Sequence, residues 1–274
     1  MIKAIELIAN EKRLDLIEKF AGKETIKDLD KAISDIFANG SDSLKLITEF
    51  FSLLDTPKSD EDKLLPEYTV GSRKVTIVQT TQELELAIES LKKTKLIGFD
   101  SEQKPTFKKG EKANKISLIQ LANSRECYLV QVFKIKDITP LLEFIRDRNF
   151  VKIGINLVGD KKALYDEYKI HMKGTLDLDG VLTKLTSKNS IGAKKVAKVF
   201  LKKNLLKSKK MSVSNWEAEE LSQNQIKYAS EDATVVYDTI LHIINEYPFV
   251  LEAMPQWFEV NFNNGKYSTN PLSV

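Results

Sequence analysis

Residues 95–102 read Lys-Leu-Ile-Gly-Phe-Asp-Ser-Glu, a stretch in which an apolar run is followed by two closely spaced acids. Its apolar first half is typical of a buried strand, and side chains two residues apart on a strand point to the same face. Asp100 and Glu102 therefore point together from the end of that strand. Two carboxylates side by side repel each other unless a cation lies between them, so the stretch predicts a β-sheet that ends in a metal site.

A second acidic cluster lies far along the chain, in the stretch 228–232, which reads Tyr-Ala-Ser-Glu-Asp. The apolar residues around it recur at helical spacing, and residues four apart share one face of a helix. Tyr228 and Asp232 therefore point together, and Asp160 stands alone between the two clusters. Converging carboxylates suit hard divalent cations, so the pattern indicates one site for Mg²⁺ or Mn²⁺ and favours phosphoryl-transfer chemistry.

The elements between the two clusters alternate between strands and helices. Three short strands in close succession predict an antiparallel meander, and the β-α-β-α pattern after them predicts a mixed sheet with helices packed on it. Beyond Asp177 the pattern is helical. The predicted strands are 74–78, 95–102, 115–122, 127–132 and 151–156, and the predicted helices include 81–93, 138–148, 158–168 and 222–245.

The chain divides into four predicted parts. Three amphipathic stretches predict a small helical N-terminal domain at residues 1–55, which could recruit a protein partner. A charged, proline-containing linker follows at 56–70, and the sheet-bearing domain is predicted at 71–246. Residues 247–274 are predicted to form a C-terminal tail.

Charge is unevenly distributed along the chain, although the net charge is only +3. A lysine-rich segment between residues 188 and 210 has almost no acids, which suits contact with a polyanion such as a nucleic-acid backbone. The alternative is an ordinary solvated helix face. The lysines of this segment include Lys194, Lys195, Lys198, Lys202, Lys203, Lys207, Lys209 and Lys210.

Composition also limits where the chain is expected to act. No apolar run approaches the roughly 20 residues that a membrane span needs, so no membrane partner is expected. The N-terminus carries early acids and lacks the apolar stretch of a signal peptide, which predicts a nuclear or cytoplasmic location. Cys127 is the only cysteine, so it cannot form an intrachain disulfide, and its apolar surroundings predict a core thiol.

Taken together, these residues resemble the DEDDy group of 3′-5′ exonucleases, which includes ribonuclease D and the Werner-type exonuclease domain. The resemblance covers about residues 75–245. Residues 98–102 are similar to the group's first motif, residues 152–160 to its second, and Tyr228 with Asp232 to its third. Tyr228 occupies the tyrosine position, whereas the histidine-bearing sister group carries its basic residue where Lys227 stands here. Gln103 departs from the aromatic residue that follows the first motif in many relatives.

The resemblance implies a ribonuclease H-like α/β fold, with a five-stranded mixed sheet flanked by helices and the site at one end of the sheet. It implies two Mg²⁺ or Mn²⁺ ions and hydrolysis of single-stranded RNA or DNA from the 3′ end, releasing 5′-mononucleotides. In this arrangement Asp100 would bridge the ions, while Glu102 and Asp232 would bind the ion that activates water. Asp160 would bind the second ion, and Tyr228 would orient the attacking water.

Simpler explanations exist for individual residues. Asp160 opens a predicted helix and could be only a first-turn acid, and Tyr228 could be an ordinary core tyrosine. Asp177 and Asp179 lie near a helix start and are interpreted as caps, outside the site. The alternative for the whole domain is a catalytically silent nucleic-acid-binding or protein-adaptor module of the same fold. Loss of one carboxylate would have favoured it, and all four are present.

Overall fold

The computed structural model describes residues 49–50, 52–54, 62, 64–106, 114–185, 190–247 and 250, together with two short strands at 261–263 and 266–268. Nearly all of the predicted helical domain at 1–55 lies outside the described residues, as do much of the linker at 56–70 and most of the tail at 247–274. A protein partner for the N-terminal domain therefore stays a prediction. In the described part of the linker range, the Tyr68 side chain is buried and its hydroxyl donates to Asp238 at 2.6 Å.

A mixed sheet of six strands forms the centre of the fold. Strands β2, β3 and β4 make the predicted antiparallel meander, while β1 pairs in parallel with β4, and β5 and β6 extend the other edge in parallel. The spatial order is β1-β4-β3-β2-β5-β6. The strands are β1 (Lys74–Val78), β2 (Leu96–Gln103), β3 (Ile116–Ala122), β4 (Glu126–Gln131), β5 (Val151–Gly154) and β6 (Thr175–Asp177).

The predicted mixed sheet flanked by helices is thus confirmed, with one strand more than the five that were expected. The additional strand is β6, which has only three residues. A segment of three residues is too short to show the alternation of polar and apolar side chains by which a strand is recognised from sequence. The sequence-based prediction assigned no helix or strand to these residues.

Helices cover both faces of the sheet, and their bounds lie within a few residues of the prediction where one was made. The longest helix, α7, begins with a capping box between Ser222 and Gln225, which satisfies the first backbone N–H groups. The helices are α1 (Thr81–Leu91), α2 (Thr139–Arg146), α3 (Val158–Tyr168), α4 (Leu178–Leu185), α5 (Ala193–Leu201), α6 (Lys209–Ser212) and α7 (Gln223–Glu246), and a 3₁₀ turn spans Val132–Lys134.

The two faces of the sheet bury different helices. One face packs α1, α2 and α3 against side chains such as Ile97 and Phe99 of β2. The other face carries α7, which packs against α5 and a helical segment that includes Phe50. Cys127 is fully buried beside α7, as expected for a core thiol, and Trp216 is fully buried there too. Among the described residues, no helix is both long and apolar enough to cross a membrane.

Candidate active site

The site lies where β2 passes under α7. Gly98 makes this close approach possible, because a Cβ atom at that position would clash with the backbone carbonyl of Ala233 in α7. Side chains two residues further along β2, at Asp100, and four further, at Glu102, share the face of Gly98 and so point toward the helix. Asp232 neighbours Ala233 on α7. The two acidic clusters therefore meet at one crossing of a strand and a helix.

Three of the predicted metal ligands converge there. One carboxylate oxygen from each of Asp100, Glu102 and Asp232 lies within 4.8 Å of the others. The Asp232 side chain is only 3% exposed, while Asp100 and Glu102 are half-buried. We call these three residues the acid cluster.

Burial and mutual repulsion disfavour the charged form of the acid cluster. The pKa of Glu102 rises to about 9, first because the carboxyl is buried and then because Asp100 and Asp232 lie nearby. Burial also raises the pKa of Asp100, and the charges of Asp232 and Asp160 raise it further. A carboxylate group held this close to others is stabilised by a cation.

The acid cluster fits a hard divalent cation. Carboxylate oxygens are the donors that Mg²⁺ and Mn²⁺ prefer, and three of them from two different elements converge here. Carboxyl groups that converge and have raised pKa values, as these three do, cluster at functional sites in proteins.

Tyr228 lies beside the acid cluster, one helical turn before Asp232. Its ring packs against Trp216, with 5.9 Å between the ring centroids. Burial raises the pKa of the Tyr228 hydroxyl, and the negative charges of Asp232, Glu102 and Asp100 raise it further. The phenol is therefore protonated at neutral pH, so its hydroxyl can donate a hydrogen bond that orients a water molecule.

Asp160 lies near the acid cluster but is not one of the three converging residues. It stands in the first turn of α3, which packs on the other face of the sheet. Ser101 points to that face, and its hydroxyl donates a hydrogen bond to the Asp160 carboxylate. Because Asp160 raises the pKa of both Asp100 and Glu102, its charge still acts on the cluster. The hydrogen bond from Ser101 was missed from sequence, although Ser101 lies inside the first motif.

Asp177 and Asp179 have structural roles. The Asp177 carboxylate accepts hydrogen bonds from the backbone N–H groups of Asn156 and Leu157, both at 2.9 Å, and so holds the start of α3. Asp179 accepts a hydrogen bond from the backbone N–H of Ile191. Neither residue is one of the three residues of the acid cluster.

Lys207 is a positively charged residue that contacts the acid cluster. Its ammonium nitrogen lies 2.8 Å from Oδ1 of Asp232 and 5.6 Å from the centroid of the Tyr228 ring. Its charge lowers the pKa of all three residues of the acid cluster, against the larger effect of burial. The sequence marked Lys207 only as one lysine of a run. The irregular segment 202–208, fixed by the buried side chain of Leu205, is what selects it.

A lysine-lined cavity opens next to the acid cluster. Its volume is about 520 Å³, and Lys207 belongs both to its lining and to the ion pair with Asp232. One acid, Asp62, also lines the cavity and pairs with Lys198. The lysines of the lining are Lys194, Lys195, Lys198 and Lys207. Part of the lysine-rich segment therefore does lie beside the site.

Known proteins share this domain. The sequence model of a family described as 3′-5′ exonuclease matches residues 75–247. A 3′-5′ exonuclease of Arabidopsis thaliana is 30% identical over 139 residues, which cover 50% of this chain and 48% of that protein. Exonuclease 3′-5′ domain-containing protein 2 of Homo sapiens is 31% identical over 191 residues, covering 64% of this chain and 30% of that protein. The chain thus spans about half or less of the length of these relatives.

Solved structures show that the fold is that of ribonuclease D. Escherichia coli RNase D, described as an exoribonuclease involved in structured RNA processing, aligns with a TM-score of 0.57 at 19% identity, over 65% of this chain and 48% of that one. Trypanosoma brucei RNase D in complex with RNA U12 aligns with a TM-score of 0.57 at 20% identity, over 64% of each chain. Because the family's sequence model covers more than half of the 274 residues, the chain belongs to the 3′-5′ exonuclease family.

Proposed function

We propose that this chain hydrolyses phosphodiester bonds one nucleotide at a time from the 3′ end of RNA or DNA, releasing 5′-mononucleotides with the help of two Mg²⁺ or Mn²⁺ ions. The observation that carries the proposal is the convergence of Asp100, Glu102 and Asp232 within 4.8 Å at the crossing of β2 and α7. Membership of the 3′-5′ exonuclease family supports the direction of hydrolysis.

Each residue of the site has a distinct part in the proposal. Asp100, Glu102 and Asp232, which converge, would hold the ions, and Asp160, which accepts a hydrogen bond from Ser101, would complete the ligand set. Two divalent ions in such a site supply positive charge that stabilises the attacking and leaving oxygens of the phosphodiester.

Tyr228 orients the attacking water through its protonated hydroxyl, since the raised pKa keeps the proton on the phenol. The packing of its ring against Trp216 fixes the direction in which the hydroxyl points. This role is one of positioning, which contributes by holding the reacting groups in the productive geometry.

The lysine-lined cavity supports a nucleic-acid substrate. Side chains that carry positive charge next to an acidic catalytic site can bind the phosphates of the strand that leads to the cleaved bond. Such contacts do not read the base sequence, so they suit an enzyme that shortens a strand stepwise. A single-stranded 3′ end, of RNA or of DNA, is the substrate that we propose.

One observation favours the alternative, a catalytically silent nucleic-acid-binding module. The Lys207 ammonium already pairs with Asp232, so the carboxylate of one residue of the acid cluster already has a positively charged partner. In a silent module this ion pair would stay in place permanently, and the lysine-lined cavity would still bind a strand. Binding without hydrolysis would be the result.

The test is a time course on matched RNA and DNA single strands labelled at the 3′ or 5′ end, with Mg²⁺, Mn²⁺ or EDTA. We expect stepwise 3′ shortening that requires metal. The Asp100→Asn, Glu102→Gln double variant should lose at least about a thousandfold in rate, because several kcal/mol of charge stabilisation are removed.

The matched control is the Glu217→Gln, Glu219→Gln double variant, which removes two carboxylates outside the acid cluster; Glu219 is 89% exposed and pairs with Lys134. It should keep the wild-type rate. Strand binding without shortening in either metal would replace the exonuclease by the silent module.

A further inference from the structure

Lys207 stands at the boundary between two sites of opposite charge. Its ammonium pairs with the nearly buried Asp232 carboxylate, and the same residue also lines the lysine-lined cavity. Among the described residues, no other lysine pairs with a member of the acid cluster. The neighbouring Lys194 donates to the backbone carbonyl of Lys207 at 3.0 Å, which helps to hold the segment in place.

We propose that Lys207 is a resident counter-ion of the acid cluster, which a divalent cation must displace from Asp232 when it binds. This inference rests on the proposed function and adds a regulatory step to it. The ammonium and a metal ion compete for the same carboxylate, because Oδ1 of Asp232, which accepts the ion pair, belongs to a residue that converges with Asp100 and Glu102.

Charge explains why a lysine is needed at this position. Three carboxyl groups within 4.8 Å of one another, one of them nearly buried, destabilise the domain unless a cation or protons neutralise them. Lys207 supplies one positive charge, whereas the proposed cofactor supplies more. The lysine thus partly neutralises the acid cluster when metal is scarce.

The geometry also provides a place for the displaced side chain. Because Lys207 also lines a cavity of about 520 Å³, we expect the displaced ammonium to turn toward that cavity. In that position it would add to the positive charge of Lys194 and Lys195, where a strand phosphate would bind. Metal binding would then strengthen the phosphate-binding side of the site, and by linkage the strand would strengthen metal binding.

The test compares Mn²⁺ affinity by titration calorimetry in the wild-type protein and in Lys207→Met. We expect Mn²⁺ to bind at least about threefold more tightly to the variant, because the competing charge is gone. The melting temperature in EDTA should be lower for Lys207→Met, and Mn²⁺ should raise it by more than it raises that of the wild-type protein. If Lys207→Met does not fold, Lys207→Gln provides the same comparison with a side chain that can still hydrogen-bond to Asp232.

Two further variants make the comparison specific. Lys134→Met removes a lysine that is also largely enclosed, 15% exposed against 28% for Lys207, from an ion pair of 2.9 Å with Glu219, and should leave Mn²⁺ affinity unchanged. Lys207→Arg keeps the charge and should keep the wild-type affinity. Unchanged or weaker Mn²⁺ binding by the folded Lys207→Met or Lys207→Gln variant overturns this inference alone. If the wild-type protein binds no Mn²⁺, the proposed cofactor fails and the inference fails with it.

Discussion

Among single residues, Tyr228 has a ring and a hydroxyl with different contacts, so a substitution can remove the hydroxyl and keep the ring. The ring packs against Trp216, while the hydroxyl is the part that faces the acid cluster. We expect Tyr228→Phe to lower the turnover rate by about ten- to a thousandfold, since loss of one positioning hydrogen bond typically has effects of this order. Stability and Mn²⁺ affinity should stay near the wild-type values, because the aromatic packing is kept.

Single-turnover kinetics with saturating strand, together with thermal unfolding, would check this expectation. An unchanged turnover rate in Tyr228→Phe would reduce Tyr228 to the core tyrosine that its burial alone suggests. A large loss of stability would instead mean that the hydroxyl has a structural partner.

Lys152 is a buried basic residue that has no role in the proposed reaction. It lies on β5, is fully buried, and donates to the backbone carbonyl of Asp147 at 2.6 Å. Burial lowers its pKa to about 7, against the opposing effect of Asp147. Between pH 7 and about 10 the folded protein therefore holds a neutral Lys152, while the unfolded chain holds a charged one.

Unfolding in this range takes up a proton, so raising the pH stabilises the folded form. The contribution of Lys152 to the free energy of unfolding should rise by up to about 1.4 kcal/mol per pH unit above pH 7 and level off below it. Urea denaturation of the wild-type protein and Lys152→Met from pH 6 to 9.5 would measure this. The wild-type protein should gain on the variant as pH rises; parallel curves would contradict the lowered pKa. Lys115→Met, at an exposed lysine, is the control.

At the scale of elements, the packing of β2 against α7 fixes both the core and the site. A methyl group at position 98 has no room against the Ala233 carbonyl, and a backbone carbonyl can move only if α7 moves. We expect Gly98→Ala to destabilise the domain by about 3 kcal/mol or more, because overpacking shifts whole elements. Mn²⁺ affinity should fall as well, since Asp232 would move away from Asp100.

Gly159→Ala is the matched control for this prediction. Gly159 lies in α3, and a Cβ atom there would meet nothing within 4 Å. Alanine in a helix is favoured over glycine, so this variant should be as stable as the wild-type protein or gain up to about 1 kcal/mol. Urea denaturation of both variants gives the comparison, and a Gly98→Ala protein of wild-type stability would show that the crossing can widen.

Periodicity explains which elements, including the crossing β2 and α7, could be predicted from the sequence. Strand β2 and helix α7 each show clear periodicity, so their existence and the faces that carry Asp100, Glu102 and Asp232 could be worked out in advance. Strand β6 has three residues and no detectable period, and it was missed. The position of Lys207 depends on the irregular segment 202–208, whose conformation follows from tertiary packing of Leu205 and not from local preference.

At the scale of the whole molecule, two regions of opposite charge lie side by side in a chain whose net charge is only +3. The carboxylates of the acid cluster favour binding of cations, and the lysines of the cavity beside it favour binding of anions. A strand that supplies phosphates and a metal ion that supplies positive charge would satisfy both regions at once. Binding of the strand should therefore depend on salt far more than the small net charge implies.

The salt dependence of strand binding can be assigned to particular lysines. Removal of one lysine that pairs with a phosphate should reduce the slope of log affinity against log salt concentration by about 0.7 for a single strand. The Lys194→Gln, Lys195→Gln variant should therefore lower the slope by about 1.4. The control, Lys92→Gln with Lys93→Gln, removes two exposed lysines before the start of β2, at the opposite end of that strand from Glu102, and should leave the slope unchanged.

Fluorescence anisotropy with a labelled single strand of about 12 nucleotides, in an Asp100→Asn background that prevents cleavage, would measure the slopes. Equal slopes for the two double variants would place the strand away from the lysine-lined cavity.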